Sequence, residues 1–139
     1  MRTYGTSRST TASPERVWSL WSDPSNWTRW DTRIRSCEMN GPLVSGATAR
    51  MRTAHGSSHA VTFPDVEPPR RFTMQMSGPP LTTFTFSCEV RPNGSGSTIA
   101  HSVAFSGRLA SVFARVLGAQ LANQFVHVLD DLAAAAEAT

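Results

Sequence analysis

Residues 107–132, GRLASVFARVLGAQLANQFVHVLDDL, place Leu109, Val112, Phe113, Val116, Leu117, Leu121, Phe125, Val128, Leu129 and Leu132 at three- and four-residue steps. That spacing sets one apolar stripe along a helix. With the alanine run that follows, the helix would reach roughly thirty residues and ~45 Å, its last turns fraying. A helix of that length with one apolar face needs a broad apolar partner.

The segments before it supply that partner. Between Thr32 and Phe105 the chain is punctuated at Asn40-Gly41-Pro42, His55-Gly56, Glu67-Pro68-Pro69, Gly78-Pro79-Pro80 and Asn93-Gly94-Ser95-Gly96, leaving about six segments of strand length. Phe72, Met74 and Met76 alternate with polar residues. So do Phe84, Phe86, Cys88 and Val90, and then Ile99, Val103 and Phe105. Period two with one apolar side describes antiparallel strands with one buried and one wet face.

The amino-terminal third completes the order. Thr3 to Thr11 alternates through Tyr4, Thr6, Arg8 and Thr10 and carries few large apolar groups, as an edge strand would. Ser13-Pro14 is an N-cap and first-turn pair, followed by Val17, Leu20 and Trp21 at helical spacing. Asp23-Pro24 repeats the start signal, so a second short helix follows and carries Trp27 and Trp30. Trp18, Trp21, Trp27 and Trp30 are large enough to be core residues, with a pocket wall as the alternative for one of them.

Composition excludes several classes. The 139 residues suit one domain, 1–139, and 40% hydrophobic against 17% charged residues suits a folded chain. The net charge is +3 and all thirteen basic residues are arginines. They are scattered: Arg29, Arg33 and Arg35 after the tryptophans, Arg50 and Arg52 in a strand, Arg70 and Arg71 beside prolines. A solvated surface is expected there, and no nucleic-acid partner. Cys37 and Cys88 form no CxxC pair, and His55, His59, His101 and His127 lack metal-ligand spacing, so reduced structural cysteines, no metal and no cofactor are expected. No apolar run reaches the ~20 residues of a membrane span and the amino terminus lacks a secretory apolar segment, which points to a cytoplasmic protein without integral membrane association.

Strand, two short helices, strand meander and long terminal helix is the order of the α+β helix-grip fold, with a curved antiparallel sheet of about seven strands around the last helix. Ala12-Ser13-Pro14-Glu15-Arg16-Val17-Trp18, then Asp23-Pro24, Trp27 and Trp30-Asp31, resembles the amino-terminal signature of the START-like polyketide cyclase/dehydrase and lipid-transport (SRPBCC) superfamily. Gly46 before a strand, Pro68-Pro69-Arg70-Arg71-Phe72, and Thr98 to Phe105 running into Ser106-Gly107 are similar to that family as well. The resemblance implies a cavity between sheet and long helix that holds an apolar or aromatic small molecule.

Candidate lining residues are Met51, Val61, Phe63, Met74, Met76, Phe84 and Phe86 on the inner sheet face, with Trp30, Val103 and Phe113 around them. The same parity turns His59 inward with Val61 and Phe63, and His101 inward with Ile99, Val103 and Phe105. A buried imidazole needs a partner, which leaves three readings: a core hydrogen bond, a polar contact to a ligand, or acid/base chemistry on it. Arg50, Arg52 and Arg71 fall on the outward parity and Tyr4 is the only tyrosine, so the cationic and phenolic helpers of an aromatic cyclase are not evident. Asp31 is read as a turn cap, with the lining of an entrance as its alternative, and His127 as exposed. The leading expectation is a binder of a small hydrophobic or aromatic molecule. Its alternatives are a polyketide cyclase/dehydratase using His101, with His59, and an interaction module with a vestigial cavity. An edge strand is able to pair with another chain, but no oligomeric state follows from it.

Overall fold

The computed structural model describes residues 2–77 and 80–138. Gly78 and Pro79 of the expected turn lie outside the described residues. Among the described residues the strands are β1 (Arg2–Thr10), β2 (Ile34–Met39), β3 (Ala47–Thr53), β4 (Ser58–Phe63), β5 (Val66–Glu67), β6 (Arg71–Ser77), β7 (Thr83–Asn93) and β8 (Gly96–Ser106). Helix α1 (Pro14–Trp21) and a 3₁₀ helix (Pro24–Arg29) follow β1, and helix α2 (Ala110–Glu137) ends the chain. The strands form one antiparallel sheet in the order β1-β8-β7-β6-β4-β3-β2, with β5 pairing β6 off that path. The two-residue β5 is the strand that the punctuation did not reveal.

The helix starts follow their local signals. Ser13 accepts a hydrogen bond from the Arg16 amide at 3.2 Å, and Pro14 occupies the first turn of α1. Asp23 instead gathers Ser25 and Asn26 side chains, at 2.5 and 2.6 Å, and the turn it opens is 3₁₀. These two helices dock on the sheet through Phe72. Trp21 and Trp27 lie 5.5 Å from its ring, Phe63 lies at 6.1 Å and Trp18 at 6.3 Å. Such aromatic pairs each add ~0.5–1.5 kcal/mol beyond the area they bury.

Helix α2 approaches β1 and β8 most closely, while the 3₁₀ helix covers β2 at the opposite end of the sheet. Gly118 permits that approach: a Cβ there would collide with the Tyr4 ring on β1. The expected apolar stripe is only partly the buried one. Phe125, Val128, Leu129 and Leu132 are buried, joined by Ala114, Gly118, Ala133 and Ala136, whereas Val112 and Val116 are exposed. At Val112-Phe113 and at Val116-Leu117 only the second residue turns toward the core.

The last turns of α2 are held, against the expectation that they fray. Arg16 of α1 donates to the carbonyls of Ala135, Ala136 and Ala138 at 3.2–3.3 Å, capping the orphan acceptors and the negative end of the helix. Glu137 accepts from the Thr10 hydroxyl at 2.6 Å, and Asp130 meets Arg8 at 2.6 Å. Helix and sheet are therefore joined firmly along β1 and β8, and the gap between them lies over the strands farther along.

Candidate functional site

That gap is a cavity of about 180 Å³. The sheet contributes Met51 and Thr53 from β3, Phe72, Met74 and Met76 from β6, Phe86 and Cys88 from β7, and His101 from β8. Helix α2 contributes Leu121, Gln124 and Val128, and the end nearest the short helices is closed by Trp21, Trp27 and Trp30. Of the lining residues, Arg33, Ile34, Thr53, Met76, His101, Leu121 and Gln124 keep intermediate exposure, and Arg33 and Ile34 on one side with Leu121 and Gln124 on the other set the mouth between the approach to β2 and the middle of α2. A broader recess of about 510 Å³ at Pro80–Thr83, Gly107 and Arg108 is open to solvent and offers little apolar enclosure.

One polar pair stands in the cavity wall. Asp31 is buried, and its carboxylate accepts from the Arg33 amide at 3.0 Å, from Arg33 Nε at 3.0 Å and from an Arg33 terminal nitrogen at 2.9 Å. Asp31 thus caps its turn, as the sequence suggested, and lines the cavity as well. Arg33 departs from the expectation of a solvated arginine. Its guanidinium lies 5.5 Å from the Phe125 ring centroid, so the same side chain ties the approach to β2 to α2. A buried carboxylate is tolerated because each oxygen has a charge-assisted partner.

His101 lies beside this pair. Its ring stacks on Phe125, with centroids 4.3 Å apart and planes 6° from parallel. It pairs in register with Cys88 on β7 and Thr6 on β1, and its side chain lines the cavity. Burial, helped by the Arg33 charge and opposed by Asp31, pushes its pKa down to about 3, so the imidazole is neutral at pH 7. Among the described residues none hydrogen-bonds the ring, and no fully buried side-chain nitrogen or oxygen is left without a partner. The ring nitrogens therefore keep some accessible surface, on a residue that lines the cavity. Burial also raises the thiol pKa of Cys88, and that of Cys37 to about 11, so neither is a thiolate at neutral pH.

Of the residues singled out from the sequence, Trp30, Met51, Met74, Met76, Phe86 and His101 come together around the cavity. Val61, Phe63 and Val103 do not; they are almost fully buried core residues. Phe84 packs on Phe105 at 5.0 Å, and Phe113 lies partly buried on the first turn of α2; neither lines the cavity. His59 keeps the inward parity but sits near the exposed start of β4, where its Nε2 contacts the Ser57 hydroxyl at 3.2 Å. It takes no part in the cavity. Arg50, Arg52 and Arg71 are exposed, as their parity requires. Among the described residues no three His, Cys, Asp or Glu side chains converge to hold a metal ion, and no helix is long and apolar enough to cross a membrane.

Ile34, Thr53, Phe72, Cys88, Leu121, Gln124 and Val128 also line the cavity without having been singled out for it, and Asp31 and Arg33 are the charged lining residues that periodicity does not reach, because they lie between the 3₁₀ helix and β2 where neither period applies. The available signal was the pairing of an acid and a base two residues apart in a turn.

A family model described as polyketide cyclase / dehydrase and lipid transport matches residues 1–137. The chain belongs to that family. Its fold is one that generally binds hydrophobic ligands. A solution structure from Thermobifida fusca superposes with a TM-score of 0.78 at 23% identity, over 98% of this chain and 93% of the other. The hypothetical protein jhp0584 from Helicobacter pylori gives 0.80 at 17% identity, over 98% and 88%. DynU16, a protein of the dynemicin biosynthetic locus, gives 0.75 at 21% identity over 98% of this chain; the chain spans 47% of DynU16. At these identities the likeness shows the family's fold alone. No curated protein matches the chain.

Proposed function

We propose that this protein binds one small apolar or aromatic molecule between the sheet and α2, and acts as a binder in preference to a catalyst. The observation that carries this reading is the cavity itself: about 180 Å³, walled mostly by aromatic rings, three methionines and aliphatic side chains, with a few polar groups among them. Methionines adapt to the shape of an occupant, and a largely apolar wall with a few convergent polar groups is the usual build of a small-molecule site. The volume corresponds to about six waters at ~30 Å³ each, which argues against the vestigial cavity of an interaction module.

The cyclase/dehydratase alternative rests on His101, which is the titratable imidazole at the cavity wall. Two features weigh against it. A general base works best with a pKa near the operating pH, and a value of about 3 makes His101 a weak proton acceptor. A cavity of this size also suits a single ring better than a folded poly-ketone chain.

The test is native mass spectrometry of freshly purified protein, followed by a titration with toluene monitored on ¹³C-methyl methionine resonances. One-to-one saturable binding that shifts Met51, Met74 and Met76 but not the partly buried surface Met39 is expected. A clean apo mass together with no saturable shift would overturn the reading. Turnover of a poly-ketone that is lost in His101→Gln would replace it with the cyclase.

A further inference from the structure

We infer that the preferred occupant is an uncharged single-ring molecule carrying one hydroxyl, a phenol, with its ring among the cavity's aromatic and methionine side chains and its hydroxyl against a ring nitrogen of His101. This inference rests on the binding reading above and names its ligand class.

Size sets the ring count. An apolar cavity of about 150 Å³ holds benzene, so one of about 180 Å³ holds one ring with a small substituent. Phe72 and Phe86 offer edges and faces to such a ring, and Met74 and Met76 fill around it.

Charge comes next. The polar residues of the wall are Asp31, Arg33, Thr53, Cys88, His101 and Gln124. Asp31 and Arg33 neutralise each other through two side-chain contacts, at 3.0 and 2.9 Å, and the Arg33 amide takes a further bond to Asp31. Cys88 is held as the thiol, and His101 is neutral. The wall is thus net neutral, and its one cation and one anion are spent on each other. A carboxylate ligand would lose its water and face the Asp31 carboxylate; a cationic ligand would compete with three N–H groups already on Asp31. An uncharged ligand meets neither cost.

The last element is the unpaired imidazole. Stacking on Phe125 occupies one face of the His101 ring and leaves its two nitrogens, which bond in the ring plane, without a described partner. A neutral imidazole has one donor and one acceptor nitrogen, and a hydroxyl both donates and accepts, so it serves whichever nitrogen faces the cavity. A methyl group in its place would leave that nitrogen desolvated and unpaired.

The experiment compares p-cresol, p-xylene of matched size, and benzoate, by calorimetry on the wild-type chain at pH 7. p-Cresol should bind about five- to tenfold tighter than p-xylene, the worth of one net hydrogen bond, and benzoate more weakly than either. ¹⁵N spectra of the imidazole should show a His101 ring nitrogen shifting with p-cresol and not with p-xylene, a readout that needs no variant. His101→Leu should bring p-cresol and p-xylene to within about twofold of each other. Equal affinities of p-cresol and p-xylene for the wild type, or an unmoved His101 nitrogen, would overturn the phenol assignment and leave the binding reading standing. Tightest binding of benzoate would overturn the neutral-ligand argument. No saturable binding of any of the three would overturn both.

Discussion

Replacing His101 by Gln should flatten the acid limb of the protein's stability. In the folded chain His101 takes a proton only near pH 3, against 6.5 for the ordinary group. As pH falls below 6.5 the unfolded chain therefore binds a proton that the folded chain refuses. Stability present above pH 6.5 is lost progressively, at up to ~1.4 kcal/mol per pH unit, until the folded pKa is reached. Between pH 7 and pH 5 this group alone removes about 2 kcal/mol from the wild type, equivalent to about 7 °C in melting temperature for a chain of this length. Gln keeps a hydrogen-bonding group at the position and cannot titrate. Urea unfolding followed by far-UV circular dichroism at pH 7, 6 and 5 gives the comparison, with exposed His127→Gln as control. Wild type should fall relative to His101→Gln by about 2 kcal/mol, and His127→Gln should track the wild type. Parallel pH curves for wild type and His101→Gln would refute the desolvation argument. A wild type that gains stability toward pH 5 would mean that the Asp31 charge outweighs burial.

Other perturbations follow from the same geometry. Arg33→Ala leaves Asp31 buried without its two side-chain partners; because Arg33 is partly exposed, the cost should be about 2–3 kcal/mol, with a smaller loss in Asp31→Asn/Arg33→Gln, both read from urea midpoints. Gly96→Ala would drive a Cβ into the Thr10 carbonyl, a backbone atom that has nowhere to go, and should destabilise by about 1–3 kcal/mol in the same assay. Cys37 and Cys88 are buried with raised thiol pKa values, so Ellman's reagent at pH 8 should find no fast-reacting thiol in the native chain and two after denaturation; a native-state thiol would contradict their burial.

Most of the architecture was legible because each element carries its own local signal. Ser13-Pro14 starts a helix whatever surrounds it, and the alternation through Phe72, Met74 and Met76 states which strand face is apolar. Parity also turned His101 inward correctly. What parity does not carry is the identity of the facing layer: Val103 and His101 share one face of β8, yet one is sealed in the core and the other borders empty volume. It also weakens at strand ends, which is why His59 shares its parity with Val61 but stays near solvent. Asp31 and Arg33 were obscured for a different reason. Their contact is a turn geometry with no period, and the arginine's reach across to Phe125 depends on where α2 lies. Val112 and Val116 show the complementary limit, since an apolar pair at adjacent helix positions does not say which member meets the sheet.

The placement of the tryptophans has an optical consequence. Trp21, Trp27 and Trp30 line the cavity, and Trp18 touches Trp21 and Phe72. Nearly all of the intrinsic emission therefore arises within one or two side chains of the cavity. Any molecule that enters changes the polarity around those indoles, and one that absorbs in the near ultraviolet will also drain their excited state. The chain carries its own indicator of occupancy, and libraries of candidate molecules are open to screening on unlabelled protein.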